Sequence, residues 1–146
     1  MFGIIAALIS GALMSIQGIF NTEVTDKTGA WITNVFVQFT GFLVCMLIWF
    51  IKERKTTQAA DLLSVEPKYL LTGGILGAFI TFTVITGMSI LGPAKAVMLI
   101  VSSQLIVAYL TEVFGMFGVE KVGFDWMKLL GTALFLAGII VFKSRG

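Results

Sequence analysis

The chain holds 146 residues, 58% hydrophobic and 12% charged, with a formal net charge of +2 and a mean hydropathy of +1.00. Length alone makes it one domain, and little of such a chain is compatible with water. The small net charge is no footprint for nucleic acid, and the single cysteine, Cys45, excludes an intrachain disulfide. With one cysteine and no histidine, neither a transition metal nor a cofactor is expected.

A helix needs about 20 apolar residues to cross about 30 Å of hydrocarbon, and five stretches meet that length. The first covers residues 2–21, with room to extend to Thr25. It lacks a basic n-region and a small-residue cleavage site, so it reads as a retained helix rather than a signal peptide. Residues 22–29, with Glu23, Asp26, Lys27 and Gly29, read as the first connector. The second span covers residues 31–51. Trp31 and Trp49 stand about 27 Å apart along it at 1.5 Å per residue, which suits two interfacial anchors. Residues 52–68 form the longest and most charged connector, with a short amphipathic turn expected over 61–66.

The third span covers residues 69–91, opened by Tyr69. Its Gly73/Gly77 and Gly74/Ala78 pairs have the small-xxx-small spacing that lets helices approach closely in lipid. Gly92-Pro93-Ala94-Lys95 is a tight turn that would set the third and fourth helices side by side, antiparallel. The fourth span covers residues 96–117, residues 118–125 connect, and the fifth covers 126–142, opened by Trp126. Thr132 reads as the one polar group of the fifth helix, which suits a peripheral or subunit-contact role.

Five crossings place the termini on opposite sides. Lys52, Arg54, Lys55, Lys68, Lys121 and Lys128 fall on the side of the N-terminus, and Lys27, Lys95, Lys143 and Arg145 on the other. The positive-inside rule puts the N-terminus in the cytoplasm. The bias is small enough that insertion of some copies each way is the alternative.

Polar residues inside the spans carry the functional signal. Ionisable groups in a membrane are costly and usually face a cavity or a partner. Glu112 is the acid inside a span. With a helix end at residue 117 it sits about 7.5 Å in from that end, a place for a proton carrier or a cation site. Gln104, Ala108 and Glu112 share a helix face, as do Gln17 and Asn21 on the first helix. Asn34, Gln38, Gly41 and Cys45 repeat at helical spacing on the second. Amides can bond to one another as glue between helices or line a polar cavity. Their recurrence on several helices favours the cavity.

The run Gly11-Ala12-Leu13-Met14-Ser15-Ile16-Gln17-Gly18-Ile19-Phe20-Asn21 resembles the G-A-x-x-x-x-Q-G-x-x-N pattern of the YdcZ-type five-helix family of the bacterial drug/metabolite transporter superfamily. Leu91-Gly92-Pro93-Ala94 is similar to its short L-G-x-A turn. Gln104 followed by Glu112-Val113-Phe114-Gly115 is similar to its Q…D-x-F-G segment, with Glu for the commoner Asp. Leu130-Gly131…Leu136-Ala137-Gly138 is similar to its last helix. The resemblance covers the whole chain. It implies a multi-pass protein of the bacterial inner membrane that transports a small solute, assembled from two five-helix chains as a homodimer or heterodimer. The acid early in the first helix on which small multidrug exporters rely is missing.

The expected fold is therefore all-α, a polytopic membrane protein of five transmembrane helices forming half of a ten-helix inverted-repeat dimer, antiparallel if homodimeric. The expected function is alternating-access transport of a small-molecule solute, coupled to a proton or cation, with Gln17, Asn21, Asn34, Gln38, Gln104 and Glu112 lining the pathway. The bilayer and a second chain are the expected partners. A passive channel and a non-transporting scaffold or accessory subunit are the rivals. An enzyme is least supported, because no nucleophile–base pair or metal constellation is visible.

Overall fold

Long apolar runs broken by glycine, proline and charge dictate helices joined by short turns. The computed structural model, which describes residues 1–143, is all-helical: α1 (Phe2–Thr28), α2 (Ala30–Lys52), α3 (Gly73–Leu91), α4 (Pro93–Phe114) and α5 (Trp126–Lys143). Three 3-10 turns, Ala59–Ser64, Lys68–Thr72 and Met116–Gly118, occupy the longer connectors. Four helices, Lys68–Leu91 counted as one, are long and apolar enough to cross a membrane; Trp126–Phe142 is apolar but shorter. Arg145, counted in the charge balance above, lies outside the described residues.

Two helices end at other points than the sequence suggests, and α4 begins at Pro93 rather than at residue 96. The first connector collapses to Gly29, and α1 runs to Thr28, so Glu23, Asp26 and Lys27 ride on its last turns. Gly29 turns the chain at φ 99°, in the region that only glycine enters freely. The hydroxyls of Thr28 and Thr33 lie 3.0 Å apart across it. The fourth helix stops at Phe114 rather than 117, because Gly115 adopts a left-handed conformation (φ 64°, ψ 42°). Its N–H bonds back to the Thr111 carbonyl, a common way of ending a helix.

The chain divides into two compact units, Met1–Ile90 and Leu91–Gly146. In the first, α1 and α2 form a hairpin that α3 joins. A Cβ on Gly18 would stand 2.5 Å from Met88 Cε, so α1 and α3 meet where α1 lacks a side chain. Ile85, Met88 and Thr33 are buried there. Trp31 stacks on Phe82 at 4.6 Å between centroids. The close approach expected from the α3 glycines lies elsewhere: a methyl on Gly73 or Gly74 would meet no other atom, and one on Gly77 only the Gln38 amide at 3.6 Å. The third helix uses bulky residues, Val84 and Met88, against a glycine of α1.

In the second unit α4 and α5 pack together. Pro93 opens α4, where its missing N–H is harmless. Asp125 caps α5, its Oδ1 accepting the Met127 N–H at 2.8 Å.

Candidate functional site

The predicted residues fall into three settings. Gln17 and Asn21 are one helical turn apart on α1 and line a groove of about 550 Å³ against Thr33, Thr40, Gly41 and Cys45 of α2. Asn21 is 9% exposed, and Gln17 is exposed. Two adjacent amides beside hydroxyls supply donors and acceptors together, so this groove can hold a polar solute group without a fixed charge.

Asn34 and Gln38, expected on the same face of α2 as Gly41 and Cys45, turn instead to α3. Asn34 is 3% exposed, and its Nδ2 donates to the Ala78 carbonyl at 2.8 Å. Its Oδ1 is buried without a partner. A buried amide that ties one helix to the backbone of the next acts as glue, and its idle oxygen is a destabilising residue of that arrangement. Gln38 lies one turn on, its amide over Gly77. The α2 positions interleave: residues 33, 37, 40, 41 and 44 face α1, whereas 34 and 38 face α3. Rotation by about 100° per residue separates neighbours such as Thr33 and Asn34.

Gln104 and Glu112 belong to the second unit. Ala108 and Glu112 line a groove of about 420 Å³ with Leu105 and Tyr109 of α4 and Lys128, Gly131, Thr132 and Phe135 of α5. Gln104 is exposed and outside it. Glu112 Oε2 accepts from Lys128 Nζ at 2.9 Å, and the side chains are 42% and 44% exposed. The fourth helix ends at Phe114, so Glu112 stands in its last turn, nearer the helix end than the sequence suggested. The loop folds back on that turn, the Val122 N–H donating to the Glu112 carbonyl at 3.0 Å.

Lys128 is the candidate site residue that the sequence reading left out, and with its contact to Glu112 the idea that α5 is polar only at Thr132 is corrected. The signal was present: a lysine three residues into an apolar helix, with an acid near the end of the helix before it. Each charge sits at the unfavourable end of its own helix, Glu112 at the negative C-terminus of α4 and Lys128 at the positive N-terminus of α5. Each is well placed against the neighbour's terminus, so the pairing joins the two helices. No group of three or more His, Cys, Asp and Glu side chains suited to a metal occurs among the described residues.

A family model described as "Putative inner membrane exporter, YdcZ" matches residues 2–141. No curated protein and no solved structure matches the chain.

Proposed function

The chain belongs to the YdcZ family of inner membrane exporters, and we propose that it moves a small solute across that membrane by alternating access, as one half of a dimer. One observation carries this reading. Gln17, Gln38 and Gln104 are exposed on apolar helices. An amide facing hydrocarbon costs several kcal/mol, so each calls for a water-filled path or a second chain over it. An antiparallel copy would supply that cover and the inverted symmetry on which many transporters are built. The fifth helix, though shorter than the other four, is about 27 Å long at 1.5 Å per residue and crosses with little tilt. The six-to-four split of basic residues leaves both orientations accessible, with the N-terminus inside favoured.

In this reading the amides of Gln17 and Asn21 orient the solute's polar groups. Gln38 and Gln104, each exposed on its own unit, are amides that a second chain would cover. Glu112 supplies the charge that couples movement to a proton or a cationic group. The Asn34–Ala78 bond supports a different role for that residue, as a structural tie, and it is the observation that keeps the scaffold reading in play.

The test is solute flux in proteoliposomes over a panel of cations, anions and neutral metabolites. Saturable flux that falls at least tenfold in folded Glu112→Gln, Gln17→Leu or Gln104→Leu protein is expected. Conduction without saturation would point to a channel. Silence from folded, dimeric protein would point to a scaffold. Cross-linking in native membranes that finds only monomer would remove the dimer.

A further inference from the structure

We propose that the α4–α5 groove binds a small zwitterion, a molecule with a primary ammonium and an acidic oxyanion close together on an aliphatic body; this deepens the transport reading and rests on it. The groove presents one carboxylate and one ammonium 2.9 Å apart in a volume of about 420 Å³, within the range of small-molecule sites. Its charge sums to zero. A singly charged solute that took one partner would leave the other, a little under half exposed, without its counter-charge. A zwitterion strands neither. Its ammonium takes Glu112, its oxyanion takes Lys128, and two ion pairs replace one.

The geometry allows that exchange. Both side chains are a little under half exposed, so a ligand can reach them. The lysine ammonium has three protons, one of which is donated to Glu112. The four-carbon stem of Lys128 lets the ammonium swing away without moving α5. Beyond the charges, the groove is walled by Leu105, Ala108 and Phe135, with no side chain at Gly131, which suits an aliphatic group. The charges occupy one end of this wall, between residues 112 and 128, and the apolar residues the other, between 105 and 135. The groove therefore has a polar head and an apolar tail. The helix termini reinforce the head: the C-terminus of α4 favours a cation beside it and the N-terminus of α5 an anion.

Two sources carry this chemistry, a free aliphatic amino acid and the headgroup of phosphatidylethanolamine. The experiment measures equilibrium binding by calorimetry, on the full chain in phosphatidylcholine nanodiscs, whose quaternary ammonium has no N–H to offer Glu112. The probes are leucine, isoamylamine and 4-methylvalerate, which share a side chain and differ by one charge, followed by a water-soluble short-chain phosphatidylethanolamine. Leucine binding at millimolar concentration, at least tenfold tighter than either singly charged analogue and lost in Glu112→Gln and in Lys128→Gln, is the expected result. Phosphatidylethanolamine binding with the same dependence on both residues, and no leucine binding, would keep the zwitterion site and name the lipid as its occupant. Because either single variant leaves one charge behind, the exchanged pair Glu112→Lys/Lys128→Glu is a second check: it keeps both charges, and leucine binding should return. Equal binding of isoamylamine and leucine, or no binding of leucine and phosphatidylethanolamine by folded protein, overturns the proposal. Binding is read without flux, so its absence leaves export of another solute standing, and binding without flux in proteoliposomes removes export while keeping the site.

Discussion

The two units of this chain solve the same problem by different means. In Met1–Ile90 the polar groups at helix contacts are neutral. An asparagine amide reaches a backbone carbonyl, hydroxyls bond to carbonyls one turn back or to each other, and a glycine admits a methionine. In Leu91–Gly146 the link between helices is a full ion pair, less than half exposed. Neutral ties between buried groups of this unit leave little room for a change of charge or for a large change of shape. A half-exposed ion pair adds little stability and remains available to a ligand. The lesson is a division of labour: the first unit should be fragile to substitution, and the second should be forgiving in stability but sensitive in function.

The largest expected effect lies in the first unit. Asn34→Asp keeps the shape and replaces the donor facing the Ala78 carbonyl with a charged oxygen, in a site only 3% exposed. Losing the bond and burying a charge should cost about 3 kcal/mol or more, read as a lowered unfolding midpoint in detergent. A variant as stable as the parent would mean that Asn34 faces water, and the contrast between the units would fail.

Next comes Gly18. A leucine there would drive into Met88, which is 3% exposed, and should cost about 2–3 kcal/mol by overpacking. Gly18→Ala should cost only about 1 kcal/mol, because the atoms it would strike, Met88 Sδ and Cε, are the flexible end of the side chain. If both variants cost the same, the contact is set by backbone rather than by the methionine.

The ion pair should give a smaller stability change. Glu112→Gln alone should lower the unfolding midpoint only slightly, and Glu112→Gln/Lys128→Gln should recover most of that loss, since no charge is left unpaired. A double variant less stable than either single one would show that the pair is a structural pin, and the proposed openness to ligand would go with it.

What the residues revealed in advance, and what they hid, follows the same line. The helices were legible because hydrophobic length, Gly-Pro at 92–93 and the charges at 52–68 are local signals. The end of α4 differs because the apolar run continues through Met116 and Phe117, and Gly115 stops the helix only by adopting a left-handed conformation that depends on what the chain does next. The polar faces were half legible. Spacing by four put Gln17 with Asn21 correctly, but it grouped Asn34 and Gln38 with Gly41 and Cys45, although α2 is flanked by two neighbours and divides its face between them. Lys128 was hidden most completely. Eleven loop residues, 115–125, separate α4 from α5, and a loop of that length does not set the register between the helices. That register is what brings positions 112 and 128 together.

The smallest effect is expected at Tyr109. Its hydroxyl donates to the Asp125 carbonyl at 3.2 Å and accepts the Asp125 N–H at 3.3 Å, just ahead of the capped start of α5. Both bonds are long and exposed. The Asp125 carbonyl has a second donor, the Leu129 N–H at 3.1 Å, so removing the hydroxyl frees only one N–H, which water can reach. The ring keeps its contact with Phe124, 6.4 Å between centroids. Tyr109→Phe should therefore lower stability by about 0.5 kcal/mol, against about 3 kcal/mol for Asn34→Asp. That ratio is the comparison between the units reduced to two hydrogen-bonding side chains: one is buried and cannot be replaced by solvent, and the other is exposed and can. A Tyr109→Phe variant that loses as much as Asn34→Asp would place the start of α5 in a setting as dry as the α1–α2–α3 unit, and the forgiving character assigned to the hairpin would have to be withdrawn.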